Sequence, residues 1–180
     1  MTKALVLIAN GSEEMEAVII IDCLRRAKWE VTVAGVTGLT VTCSRGVKVV
    51  CDRRIEEVSA DTFDILALPG GAEGTKALMA SAAVLALARA FTGAGKWVAA
   101  VCAAPLVLQA AGLLKGRKVT CHPGVKAQLV DTPRLDDRVV VDGRLITSQG
   151  PGTSFEFALA IIRCVEGPAA ADTVAKGLVL

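Results

Sequence analysis

The stretch Trp97-Val98-Ala99-Ala100-Val101-Cys102-Ala103-Ala104-Pro105, continued by Leu106-Val107-Leu108, decides how the chain folds. Apolar residues from Trp97 to Val101, two of them β-branched and preceded by Gly93 and Gly95, read as a short strand buried on both faces. After Pro105 the apolar positions become Leu106, Leu108, Ala110, Ala111 and Leu113, a helix closed by Gly112 and Gly116. Cys102 is thereby set where a central strand turns sharply into a helix. Ala103 and Ala104 are small enough for a tight turn, and Pro105 suits a first helical position, where the N–H it lacks would be unpaired anyway. A thiol so placed faces the unpaired amides of a helix N-terminus, whose partial positive charge favours a thiolate. The position also suits a small core hydrophobe, since free cysteine is among the most buried residue types. Position alone leaves both readings standing.

Outward from that stretch, a chain of 180 residues has the length of one domain, residues 1–180, and its 53% hydrophobic content is enough for a real core. Aromatics make up only 3%, so Val, Leu, Ile and Ala must build that core. The net charge is +2 with Lys and Arg scattered, which argues against a nucleic-acid partner. A short apolar run from Ala4 to Ala9 is followed at once by Glu13, Glu14 and Glu16. It fits neither a signal peptide nor a membrane span, so no membrane partner is expected. The cysteines at 23, 43, 51, 102, 121 and 164 form no C-x-x-C and no zinc spacing with histidine, so no metal is expected. As reduced thiols they point to an intracellular, cytoplasmic protein.

In chain order, Lys3 to Ala9 reads as a strand, followed by the turn Asn10-Gly11-Ser12. Ser12 is the expected cap of a helix to about Ala27, with Glu13, Glu14 and Glu16 in its first turn. Glu30 to Ala34 is a second strand, and Val41-Thr42 with Val47 to Cys51 forms a hairpin around Ser44-Arg45-Gly46. Ile65 to Leu68 is a third parallel strand, ended by Pro69-Gly70-Gly71. Helices are expected over Gly74 to Met79 and Ser81 to Phe91. Lys118 to Cys121 reads as a further strand ending at His122-Pro123. Val139 to Val141 and Leu145 to Thr147 form a hairpin around Asp142-Gly143. Thr153-Ser154-Phe155-Glu156 has the spacing of a capping box opening a helix to Val165, and Ala169 to Lys176 closes the chain with a short helix.

Strands alternating with helices predict a doubly wound α/β sandwich on a mostly parallel sheet, whose ligands bind outside the carboxyl ends of the strands. The turns at those ends are Asn10-Gly11-Ser12, Pro69-Gly70-Gly71, Cys102-Ala103-Ala104 and His122-Pro123. Glu16 lies one turn into the first helix, so thiol, carboxyl and imidazole converge on one edge. Each also has a plainer reading. Glu16 suits a solvated first-turn carboxylate, His122 a loop residue, and Pro69-Gly70-Gly71 a tight turn. Cys43 and Cys51 suit packing or a subunit contact, and Cys23, Cys121 and Cys164 suit the core.

Gly11-Ser12-Glu13-Glu14-Met15-Glu16, Thr42-Cys43-Ser44-Arg45, Leu68-Pro69-Gly70-Gly71, Ala100 to Pro105 and Ser148-Gln149-Gly150-Pro151-Gly152-Thr153, in this order, resemble the DJ-one branch of the ThiJ/PfpI superfamily. The resemblance runs from Lys3 to the C-terminus. It implies a flavodoxin-like three-layer sandwich, a homodimer, and no cofactor. It also implies an oxidisable nucleophile at Cys102 beside a protonated Glu16. Backbone amides near Gly70, Gly71 and Ala103 would form an oxyanion pocket with His122 nearby, and Arg45 and Pro151 would approach from the dimer side. In the peptidase-like branch a histidine directly follows the nucleophile. Here that residue is Ala103, and His122 is the chain's only histidine, so peptidase activity is not expected.

Charge on Glu16 would raise the thiol pKa, so one charge shared as thiolate and neutral carboxyl is the expected state of a coupled pair. The chemistry implied is a cofactor-independent attack on small dicarbonyls such as methylglyoxal, giving a 2-hydroxy acid, or release of glycation adducts from proteins. The alternative is a redox sensor or chaperone whose Cys102 is oxidised to a sulfinate.

Overall fold

The computed structural model describes residues 1–130 and 132–180. In chain order it contains β1 (Lys3–Ile8), α1 (Glu14–Arg26), β2 (Glu30–Gly35), β3 (Thr40–Thr42), β4 (Lys48–Val50), β5 (Arg53–Arg54), β6 (Ile65–Leu68), α2 (Ala72–Ala80) and α3 (Ala82–Gly93). There follow β7 (Trp97–Val101), α4 (Pro105–Ala110), β8 (Val139–Asp142), β9 (Leu145–Ser148), α5 (Ser154–Glu166) and α6 (Pro168–Gly177). The main sheet has seven strands in the order β5-β2-β1-β6-β7-β9-β8, and β3 and β4 pair separately as an antiparallel hairpin. Only β8 runs antiparallel to its neighbour in the main sheet.

The two-residue alternation of a strand explains the layers. Ala4, Val6 and Ile8 of β1 face one core together with Ile20 and Leu24 of α1, Ile161 and Ile162 of α5, and Val174 of α6. Leu5 and Leu7 face the other, with Leu78 of α2, Phe91 of α3 and Leu108 of α4. β6 and β7 alternate in the same way, so the sheet is covered on both sides and its central strands read as continuous apolar runs. This is the expected α/β/α sandwich.

Several local expectations are corrected. Glu13, not Ser12, caps α1, its carboxylate accepting the Glu16 N–H at 2.7 Å. Ser12 is buried, and its hydroxyl accepts the Ala9 N–H instead. Lys118 to Cys121 is not a sheet strand, and only Val119 pairs, with Arg134. The slot beside β7 is taken by β9, whose own far side is taken by β8. The segment therefore crosses side chains: the Thr120 N–H donates to the Thr147 hydroxyl and the Lys118 N–H to Asp142. The Thr153–Glu156 capping box does not form. Thr153 Oγ1 is engaged with Gly150 and Ser148, while Glu156 receives the guanidinium of Arg138 at 2.8–2.9 Å.

Candidate active site

The elbow after β7 holds Cys102 in a left-handed conformation, φ 64°. Such a backbone costs on the order of 1 kcal/mol or more for a side-chain-bearing residue and persists only where neighbours over-determine it. They do so here. The Cys102 N–H donates to Ser148 O at 3.0 Å, and its carbonyl accepts the His122 N–H at 2.8 Å. Gly70 presses against the elbow: a Cβ there would lie 2.7 Å from Cys102 Cβ and 2.9 Å from Ala103 N, so no larger residue fits. Gly71, at φ 89°, opens α2 with its backbone against Gly11 and Glu13. The glycine pair thus brings backbone amides close to the sulfur.

Glu16 is fully buried on the first turn of α1. Oε2 accepts the Gly70 N–H at 2.7 Å, whereas Oε1 has no well-aligned partner. The neighbouring titratable side chain is the Cys102 thiol. Burial raises Glu16 from 4.5 to about 7, opposed by the Gly70 bond and by the nearby Cys102 thiol. Burial, then the Glu16 charge, pushes Cys102 up to about 12, opposed by the Gly71 and Ala103 amides directed at its sulfur. Burial disfavours charge on both groups, so they titrate as a coupled pair that shares one negative charge. Carboxyl and thiol are thereby placed to exchange a proton between them.

Above the sulfur lies a cavity of about 480 Å³ whose wall includes Arg45, Gly71, Cys102, Ala103, His122 and Pro151. That volume is within the roughly 300–1,000 Å³ usual for small-molecule sites. Glu16 and Gly70 lie behind this wall, touching it through Cys102. Every residue expected at the site is therefore gathered at one sheet edge. Arg45 and Pro151 reach the cavity within this same chain. His122 Nδ1 accepts the Gly124 N–H at 3.0 Å, so the ring proton of the neutral form resides on Nε2. Among the described residues no three His, Cys, Asp or Glu side chains gather as a metal-holding group.

Two contributors escaped the sequence reading. Glu14 is largely buried, and its carboxylate accepts the Ser44 hydroxyl at 2.7 Å and the Arg45 N–H at 2.8 Å. It ties the hairpin tip, and with it Arg45, to the start of α1; bonds from the hairpin hold its pKa below the usual carboxylate value despite burial. A Cβ on Gly150 would stand 3.3 Å from His122 Cδ2 and 4.0 Å from both Cys102 Sγ and Glu16 Oε1. The signal for Gly150 was present, a glycine-rich turn following a strand at the reactive edge. Nothing local marked Glu14 apart from its neighbours Glu13 and Glu16.

The DJ-1/PfpI family model matches residues 2–164. Protein dj-1beta of Drosophila melanogaster is 46% identical over 181 residues, spanning 99% of this chain and 97% of that one. The glutathione-independent glyoxalase DJR-1.2 of Caenorhabditis elegans is 38% identical over 181 residues, 99% of this chain and 96% of its own. Among solved structures, an oxidised DJ-1 of Toxoplasma gondii superposes with a TM-score of 0.96 at 41% identity, covering 99% of this chain and 98% of that chain.

Proposed function

The chain belongs to the DJ-1/PfpI family, and on that premise we propose that it is a cofactor-independent cysteine enzyme converting reactive dicarbonyls such as methylglyoxal to 2-hydroxy acids. The observation that carries this reading is the buried pair: a carboxyl held near pH 7 against a thiol at a strained elbow. As Cys102 Sγ bonds the aldehyde carbon, Glu16 takes the thiol proton. The Gly71 and Ala103 amides receive the oxyanion of the resulting hemithioacetal. Glu16 returns the thiol's proton to the oxyanion and is ionised again. It then carries the hydrogen of the former aldehyde carbon as a proton to the adjacent carbon through an enediolate, whose hydroxyl proton passes to the second oxygen, leaving a thioester of the hydroxy acid. Water cleaves that ester, releasing lactate from methylglyoxal and restoring the thiol, with no external oxidant or reductant. His122, with its proton on Nε2, is a donor in the cavity wall for the substrate's second oxygen. Release of glycation adducts from proteins would use the same groups. Purified protein given methylglyoxal without glutathione is expected to form lactate, and a Cys102→Ser variant none; equal lactate from both would end the reading.

The second reading is a redox sensor, in which Cys102 is oxidised rather than turning over. Its support is the half-buried sulfur opening onto the cavity, together with the oxidised state in which the Toxoplasma relative was solved.

We also infer a homodimer through α1 and the β3–β4 hairpin. Met15, Val18, Val47 and Val50 stand 54%, 50%, 49% and 77% exposed on these elements, more apolar surface than a monomer favours. Sedimentation is expected to give a dimer at micromolar concentration, and a monomer there would remove the claim.

A further inference from the structure

At the opposite edge of the sheet, where β7 and β9 begin, lies a second cavity of about 190 Å³. It is one strand length from Cys102, roughly 13 Å by strand rise. Its floor is aliphatic: Val98, Leu108 and Leu145 are buried, and Leu113 packs beside them. Its rim is cationic. Arg117 and Arg144 both border it, and neither guanidinium has a carboxylate partner or a hydrogen bond among the described residues. The Arg144 guanidinium lies 5.4 Å from the centre of the Trp97 ring, which orients it without neutralising it. Asp142, the carboxylate nearest in sequence to Arg144, accepts the Lys118 N–H, and Asp64, beside Arg144 on the neighbouring surface, accepts the Lys3 N–H. Lys96, the third cation on the rim, is occupied by the carbonyls of Ala60 and Phe63 at 2.7 Å.

We propose that this cavity is a binding site for a short-chain aliphatic carboxylate, its head on Arg117 and Arg144 and its tail on the Val98–Leu145 floor. Arginine suits a carboxylate head because its planar fork matches the two oxygens. The volume is below the roughly 300–1,000 Å³ of sites for drug-sized ligands, so a short chain fits and a nucleotide does not. A bare phosphate would answer the arginines while leaving the aliphatic floor uncovered. This site shares no residue with the Cys102 cavity, so it stands or falls independently of the dicarbonyl reading.

The test is amide chemical-shift titration of the full-length, isotope-labelled protein with hexanoate, and with hexanol and inorganic phosphate as separate arms. Saturable hexanoate shifts are expected at Gly95, Leu113, Arg144 and Leu145, with a Kd on the order of a millimolar or tighter. Hexanol and phosphate should each bind at least tenfold more weakly, since each lacks one half of the recognition. In the Arg117→Gln/Arg144→Gln variant, hexanoate affinity should fall roughly ten- to a hundredfold while the spectrum stays dispersed. The single exposed-site variant Arg144→Gln serves if the double variant unfolds. Any of four results would overturn the proposal: no saturation by about 10 mM hexanoate, phosphate binding as tightly as hexanoate, unchanged affinity in the variant, or shifts centred on Gly71 and Cys102.

Discussion

The thiol of Cys23, in the last turn of α1, and that of Cys102, at the β7–α4 elbow, suffer the same penalty. Burial is the leading cause for both, pushing the first up to about 11 and the second to about 12. Their surroundings then diverge. Cys23 is fully buried on the helix face packed into the core, and the charges near it, Asp22 and Arg26, bond each other at the surface. Cys102 sits on a left-handed backbone, opens to a cavity, and has two amides and a second buried acid directed at it. Burial alone makes a thiol inert. What distinguishes the elbow is a second buried acid beside the sulfur, its pKa raised to about 7, with which a proton can be exchanged.

The contrast breaks most visibly by serine replacement. Cys102→Ser should lower methylglyoxal turnover on the order of 10³-fold or more, as loss of a nucleophile does. Cys23→Ser should leave turnover intact and cost about 1–3 kcal/mol of stability for a hydroxyl in an apolar core. If Cys23→Ser lost turnover while remaining folded, burial rather than the elbow would be the determining feature.

The second way to sharpen it is linkage. Because Glu16 is held at about 7 in the fold against 4.5 ordinarily, folding takes up a proton between those values. The stabilisation is complete below about pH 4.5 and is lost as pH rises through about 7, a total of roughly 3 kcal/mol. Urea unfolding at pH 5 and pH 8 should show that decline, and Glu16→Gln should remove it. A decline of the same size in the Gln variant would place its origin elsewhere.

A smaller effect belongs to Gly150. Its replacement by Ala puts a methyl in contact with His122 and over the sulfur. We expect KM for methylglyoxal to rise about tenfold, the scale of one misplaced methyl group in a pocket. Alkylation of Cys102 by iodoacetamide should continue. An unchanged KM would mean that substrate enters from another side.

Much of this arrangement was legible because it is local. Continuous apolar runs gave the central strands, the small residues before Pro105 gave the elbow, and Pro69-Gly70-Gly71 gave the close approach. What was not legible depended on distant partners. Lys118 to Cys121 carries strand-forming Val119 and Thr120 but loses its sheet slot to β9, a competition settled in tertiary structure. Glu156 has capping-box spacing, yet Arg138 claims its carboxylate from another element. Ser12 and Glu13 both suit a cap, and Ser12 is drawn inward by the Ala9 amide.

The most direct test of the proton exchange is turnover by Glu16→Gln. Wild-type kcat/KM for methylglyoxal should rise as pH passes through about 7, where Glu16 becomes the base. The Gln variant keeps a hydrogen-bonding amide beside the sulfur but accepts no proton. Its turnover should fall roughly 10²–10⁴-fold and lose that inflection, while iodoacetamide still alkylates Cys102. A Gln variant turning over methylglyoxal at the wild-type rate, with the same pH profile, would contradict the account.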